Sequence, residues 1–162
     1  MRKLLLSAIC SFFIISSVVF ASGFQINETG AKAMAMGGAF TGLANDASAV
    51  YFNPGGITQL QGTHFYGGVS LIAPMTEFTG PTPSTGAYKL KSKVFFPFNI
   101  YFTHQLSEKA FIGFSVNNPY GLGTQWEDTN WPGRYLAEDT EIRTFYFTPT
   151  FAYKVSEQFS IG

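Results

Sequence analysis

The residues able to do chemistry in this chain are few and scattered. His64 and His104 are its two histidines and Cys10 its one cysteine. A zinc site needs three or four Cys, His or carboxylate ligands at short spacing, and neither histidine has such company. Both are read as interfacial residues, expected at opposite strand ends. Ser, His and Asp all occur, but no Gly-x-Ser-x-Gly elbow or ordered catalytic set places them together, so the chain is not read as an enzyme. A lipase would need its site beyond Gly162. The pairs Glu127-Asp128 and Glu138-Asp139 read as solvated loop charges, and no metal or cofactor is called. Arg134 and Arg143 could pair with a carboxylate. Arg143 shares parity with a row of outward aromatics, which favours a snorkelling role. Trp126, Trp131 and Tyr135 could form an external apolar capture surface, or the aromatic girdle at a membrane edge.

What must position these residues follows from composition. The sequence carries 18 Phe, 8 Tyr and 17 Gly with only 12% charged residues. A soluble surface needs far more charge to stay dispersed, and this much aromatic area is hard to hide in a chain of this length. Arg2 and Lys3 followed by an apolar run and Val19-Phe20-Ala21 form a secretory signal, residues 1–21, with cleavage after Ala21. Its removal takes the cysteine and two of the ten basic residues, leaving eight against ten acidic. No basic patch remains for nucleic acid, and no disulfide can form. After the leader no apolar run reaches the roughly 18 residues of a spanning helix.

Segments of about ten residues alternate instead, the mark of a transmembrane strand. In "VFFPFNIYF", residues 94–102, Val94, Phe96, Phe98, Ile100 and Phe102 share one parity, and Phe95, Pro97, Asn99 and Tyr101 the other. Alternate side chains of a strand face opposite sides, so one face meets hydrocarbon and the other a mixed interior. Pro97 lacks a ladder donor, which predicts a bulge or missing bond there. Similar strands are expected over 63–73, over 111–117, and over 141–155. A fifth begins at Phe159.

The connections alternate as well. Long links follow the first and third strands, while Leu106-Ser107-Glu108-Lys109 and Val155-Ser156-Glu157-Gln158 are tight. "SEKAFIG" at 107–113 and "SEQFSIG" at 156–162 agree at four of seven positions, as if one turn were used twice. Short turns at one end and long loops at the other describe an all-β, antiparallel up-and-down barrel. The smallest closed membrane barrels need about eight strands; 63–162 is therefore expected to be the front part of a longer wall.

Residues 22–62 do not alternate. Ala31 to Met36 favours helix with Gly37-Gly38 as its stop, Asn45-Asp46-Ala47-Ser48 could start another, and Asn53-Pro54-Gly55-Gly56 forms a turn. A compact segment of this kind, 22–62, could plug a lumen. The stretch "GFQINETGAKAMAMGGAFTGLANDASAVYFNPGGITQL" resembles the N-terminal hatch of the FadL/TodX family of outer-membrane transporters, which take up long-chain fatty acids and aromatic hydrocarbons. The likeness continues through Asn117-Asn118-Pro119-Tyr120-Gly121-Leu122, "WPGRY" at 131–135 and "FTPTFAYKVSEQFSIG".

The resemblance implies a fourteen-stranded barrel closed by a hatch, in an outer membrane whose lipid is the first partner. It implies passive uptake of a hydrophobic small molecule, fatty acid or arene, through an internal pocket and out sideways at a kink in the third strand. Phe24, Asn53 and Pro54 would line the ligand path in the hatch; Asn53-Pro54 match the family's Asn-Pro-Ala element near the kink, with Gly55 in place of its alanine. Asn117, Pro119, Tyr120 and Gly121 would form the kink; Trp126 and Trp131 stay open between an outer capture surface and the membrane-edge girdle. A polar-solute porin, a structural barrel and an enzyme remain the alternatives; the inward parity carries mostly Thr, Tyr, Ser and Asn rather than the charged rings a porin would need.

Overall fold

The computed structural model describes residues 25–27, 29–80 and 86–162. The expected export signal, 1–21, and Phe24 lie outside the described residues. Five strands form one antiparallel sheet in chain order: β1 (Thr63–Val69), β4 (Phe98–Gln105), β5 (Ala110–Asn117), β8 (Tyr146–Lys154) and β9 (Ser160–Ile161). Two hairpins lie between them, β2 (Glu77–Thr79) with β3 (Ala87–Lys89), and β6 (Gly121–Gln125) with β7 (Asp139–Arg143). The hairpins join through a Leu90–Trp126 bridge and the Lys91 N–H to Gln125 carbonyl bond of 2.7 Å.

Alternation explains the two faces of the sheet. Along one face cross-strand neighbours run Phe65–Phe102–Phe114 and Gly67–Ile100–Val116–Phe147. These rings are open, Phe65 at 72% and Phe147 at 66% relative exposure. The opposite face carries Asn99, Tyr101, Thr103, Ser115, Asn117 and Ala152, all buried. No helix among the described residues is long and apolar enough to cross a membrane. An exposed aromatic face with a polar, covered reverse is the inversion of a soluble sheet and matches a wall facing lipid.

Strand bounds differ from expectation where proline or register intervenes. β1 stops at Val69 rather than 73, with Ile72 re-pairing to Phe95. β4 begins at Phe98, not 94, because Pro97 has no N–H to continue the ladder; its carbonyl still accepts the Ser70 N–H at 2.9 Å. The segment 141–155 is two strands, β7 and β8, parted at Thr144-Phe145. The repeated sequence motif is a repeated turn: Ser107 N–H bonds the Ala110 carbonyl and Ser156 N–H the Phe159 carbonyl. The histidines are not at opposite ends. Thr63 pairs with His104 and His64 with Thr103, since the start of one antiparallel strand adjoins the end of the next; their side chains take opposite faces.

The segment before β1 folds onto the covered face. α1 (Ala31–Ala35) ends as predicted, with Gly37 and Gly38 at positive φ and the Gly38 N–H closing on the Ala33 carbonyl at 2.8 Å, the C-terminal closure that glycine permits. α2 (Ala49–Phe52) follows Asp46, whose carboxylate accepts the Ser48 N–H at 2.9 Å. The expected turn at 53–56 is the head of a 3-10 helix, Pro54–Gln59, because proline presets the first helical φ. Val50 and Ile57 then pack with Tyr101, Phe111 and Ala152 in one core. Gly113 makes this approach close: a Cβ there would stand 2.6 Å from Val50 Cγ2.

Candidate functional site

β5 and β6 are one wall strand interrupted at Asn118-Pro119-Tyr120, and β7 and β8 are the next, interrupted at Thr144-Phe145. The pairs Asn117–Tyr146 and Gly121–Arg143 bracket the break. Three residues on one side therefore face two on the other, the count of a β-bulge. Pro119 cannot donate to a neighbour, and Pro97, just before β4, cannot either. Pro97 faces β1, where its carbonyl accepts the Ser70 N–H; toward the third wall strand the backbone pairing ends at Asn99–Asn117, and the Phe98 N–H meets the Asn118 side chain instead.

The freed backbone is satisfied by side chains. Asn118 spans the break: its Oδ1 accepts the Phe98 N–H at 2.9 Å and its Nδ2 donates to the Thr144 carbonyl at 2.6 Å. The Thr144 hydroxyl accepts the Tyr120 N–H at 3.1 Å and donates to the Tyr120 carbonyl. Unpaired backbone groups facing hydrocarbon cost several kcal/mol each, about the scale that forbids open edges there. Asn118 and Thr144 let the wall part without that penalty.

The N-terminal tail enters at the same place. Ile26 donates its N–H to the Pro119 carbonyl at 2.9 Å, and Gln25 bridges Tyr120. Thr29, three residues on, accepts the Tyr101 phenol at 2.6 Å. Gly121 admits the Ile26 side chain, for a Cβ there would lie 2.9 Å from Ile26 Cδ1. Beside this contact lies a cavity of about 270 Å³, lined on one side by Ile26, Pro97 and Asn118 and on the other by Phe96, Ile142 and Phe145. Phe96 and Phe145 are exposed on the aromatic face. The cavity thus reaches from the covered tail toward the outer surface of the wall.

Arg143 corrects an expectation. Its sequence parity groups it with Phe145, Phe147 and Phe151, yet the interruption at 144–145 resets the alternation. It pairs with Gly121, paired residues share a face, and the Gly121 Cβ direction points to the buried Ile26. Arg143 therefore stands on the tail side, with Glu141 opposite Gly123 and Asp139 opposite Gln125. Leu122 and Ile142 take the other face as an apolar pair.

The sequence-named residues are distributed as follows. Asn117, Pro119, Tyr120 and Gly121 come together at the break. Asn53 and Pro54 lie away from it: Asn53 Nδ2 donates to the Thr41 carbonyl at 3.0 Å, and their segment rests against β9, where a Cβ on Gly55 would meet the Ser160 carbonyl at 3.3 Å. Among the described residues, Gln25 and Ile26, not this turn, make the backbone contacts with the break. Trp126 and Trp131 stack on each other at 4.3 Å, with Phe78 edge-on to both at 6.3 and 6.1 Å. Their faces are largely used in joining the two external hairpins. Among the described residues no three His, Cys, Asp or Glu side chains gather as a metal site. Sequence reasoning missed Asn118, Thr144, Ile26 and Phe78. The doubled asparagine before Pro119 was the available signal, because a strand parity uses only one of the two on each face.

Comparison with known proteins gives these features a context. The profile of the family described as outer membrane protein transport protein (OMPP1/FadL/TodX) matches residues 12–162. The long-chain fatty acid transport protein of Salmonella typhi is 30% identical over 155 residues, covering 92% of this chain and 35% of that protein. The protein of the same name from Escherichia coli K12 is 28% identical, with 92% and 34% covered. The 47 kDa outer membrane protein of Pasteurella multocida is 27% identical, with 90% and 33% covered. The chain spans about a third of the curated relatives it matches. The crystal structure of a Pseudomonas aeruginosa FadL homologue superposes with a TM-score of 0.63 at 22% identity, covering 86% of this chain and 36% of that one. That likeness fixes the fold as the front of an antiparallel β-barrel.

Proposed function

The chain belongs to the outer membrane protein transport protein family (OMPP1/FadL/TodX), and from that premise we propose that it forms the entry, plug and side exit of a passive outer-membrane transporter for hydrophobic compounds. Long-chain fatty acids are the favoured cargo, since the relatives carrying a functional name are long-chain fatty acid transport proteins. In this reading 1–21 directs export, 22–62 plugs the lumen, and 63–162 begins the barrel of a Gram-negative outer membrane.

One observation carries the reading: the wall is interrupted where the tail of the plug meets it, and an apolar cavity lies in the interruption. The tail is held there by the Ile26–Pro119 hydrogen bond and the Gln25–Tyr120 bridge. Each such bond is worth roughly 1 kcal/mol net, so a ligand burying apolar surface at about 25 cal/mol per Å² can displace the tail. The cargo then leaves between Phe96 and Phe145 into the bilayer, never crossing a continuous water column. Phe24, Asn53 and Pro54 belong to the plug side of that route. Trp126 and Trp131, with Phe78, belong to its outer approach.

Uptake of a labelled long-chain fatty acid and of a labelled arene by cells carrying the full-length protein as their only route tests the proposal. Fatty-acid uptake is expected, and removal of residues 22–62 should abolish selectivity and admit ions. Intact, selective uptake without ion leakage after that deletion would reject the plug. Faster uptake of the arene would move the cargo to the aromatic class.

A further inference from the structure

Arg143 occupies an unusual position for a strand residue of this sheet. It lines the cavity at the wall break together with Ile26, Phe95, Leu122 and Phe145, on the tail side of the sheet. Its Nε donates to Glu141 at 2.5 Å, and its remaining guanidinium donors have no protein partner among the described residues. Glu141 does not depend on Arg143 alone, because Lys93 stands 3.9 Å from Glu141 and 3.7 Å from Asp139. Two cations and two carboxylates balance in this cluster, so the acidic pair keeps a counter-charge when Arg143 takes another anion.

A guanidinium offers five donors in a planar fork and holds carboxylates through two parallel bonds. Here the Nε is taken by Glu141, and the rest of the side chain, 76% exposed, borders a cavity whose walls are mostly apolar. That combination recognises a carboxylate at the head of an aliphatic chain, with the first part of the chain against Phe95, Leu122 and Phe145. The cavity, about 270 Å³, falls just under the ~300–1,000 Å³ of whole-ligand pockets, which suits a head group and the start of a tail. A phosphate on a membrane lipid has the same charge, but the tail-side position of Arg143 faces the plug and not the bilayer.

We propose that Arg143 is a carboxylate-binding residue at the side exit, with Lys93 holding Glu141 and Asp139 while the ligand's head group occupies the free edge of the guanidinium. The proposal rests on the transport reading and names the ligand's polar contact within it.

Purified full-length protein in detergent, with dodecanoate and dodecanol as probes, tests it by direct binding, alongside uptake of both. The native protein should bind dodecanoate about tenfold more tightly than dodecanol, the scale of a charge-assisted hydrogen-bonded pair. Arg143→Gln should bring the two affinities together by weakening dodecanoate alone, and Arg143→Lys should restore part of the difference. An unchanged dodecanoate-to-dodecanol ratio in Arg143→Gln overturns the proposal. So does an equal loss of both ligands, which would make Arg143 a structural residue. Dodecanol uptake that persists in Arg143→Gln leaves the transport reading standing whatever the ratio does, whereas native protein that binds both probes and transports neither rejects transport alone.

Discussion

Thr144 acts as a strand partner for Tyr120: its hydroxyl receives the Tyr120 N–H at 3.1 Å and returns a bond to the Tyr120 carbonyl. A side chain thereby does the work of a ladder at the one place where the two wall strands are out of count. Thr144→Val keeps the shape and strips both bonds. Leaving the two groups buried and unpaired should cost about 1–3 kcal/mol each, read as a lower heat-unfolding temperature of the full-length protein in detergent. Thr144→Ser should behave as native.

Asn118 is the second stitch, joining the Phe98 N–H to the Thr144 carbonyl. Asn118→Ala should destabilise by roughly 2–6 kcal/mol, two orphaned backbone groups at the usual penalty. Combined with Thr144→Val the losses should not add, because both side chains serve residue 144 and neighbours sharing a partner couple. Strict additivity in the same unfolding measurement would deny a shared network.

Gly121 sets how far the tail can enter. A Cβ there stands 2.9 Å from Ile26 Cδ1, inside van der Waals contact. Gly121→Val should push the tail from the break and raise single-channel conductance in planar bilayers, and Ile26→Ala in the same chain should restore the low native conductance.

Gly113 plays the corresponding part between the wall and the segment before β1, with Val50 Cγ2 at 2.6 Å from a built Cβ. Gly113→Ala is expected to cost about 1–3 kcal/mol through overpacking, and Val50→Ala should relieve it. Protease resistance of residues 29–62 gives the readout, with faster cleavage expected in the single variant only.

Trp131 is stacked on Trp126 and flanked by Phe78. Trp131→Ala should quicken limited proteolysis of the external hairpins, since stacked aromatic pairs contribute about 0.5–1.5 kcal/mol beyond their area. Ligand affinity should stay as in the native protein. A large loss of affinity with the hairpins still resistant would return these rings to a capture role.

Much of the architecture was open to reading from residues alone. The parity of Val94 to Phe102, the twin Ser-Glu turns and the Ala-rich run before Gly37-Gly38 each encode a local preference that the packed chain keeps. Pro97 announced a broken ladder, and β4 does begin one residue later. The site was legible only in part. Pro119 and Gly121 mark a kink by what they lack, a donor and a side chain. Asn118, Thr144 and Ile26 act through partners distant in sequence: Phe98 lies on another strand and Ile26 in the segment before β1. Arg143 was misplaced for the same reason, because a parity argument holds only while the strand stays continuous, and the interruption at Thr144-Phe145 depends on pairing with β5 and β6.

The break is a difference of one residue, three between Asn117 and Gly121 against two between Arg143 and Tyr146. An in-frame insertion of a single codon in the shorter segment would equalise the two stretches and let them pair across everywhere but at Pro119, which has no N–H to give. Length variation, ordinarily harmless near strand junctions, would here decide whether the wall is interrupted.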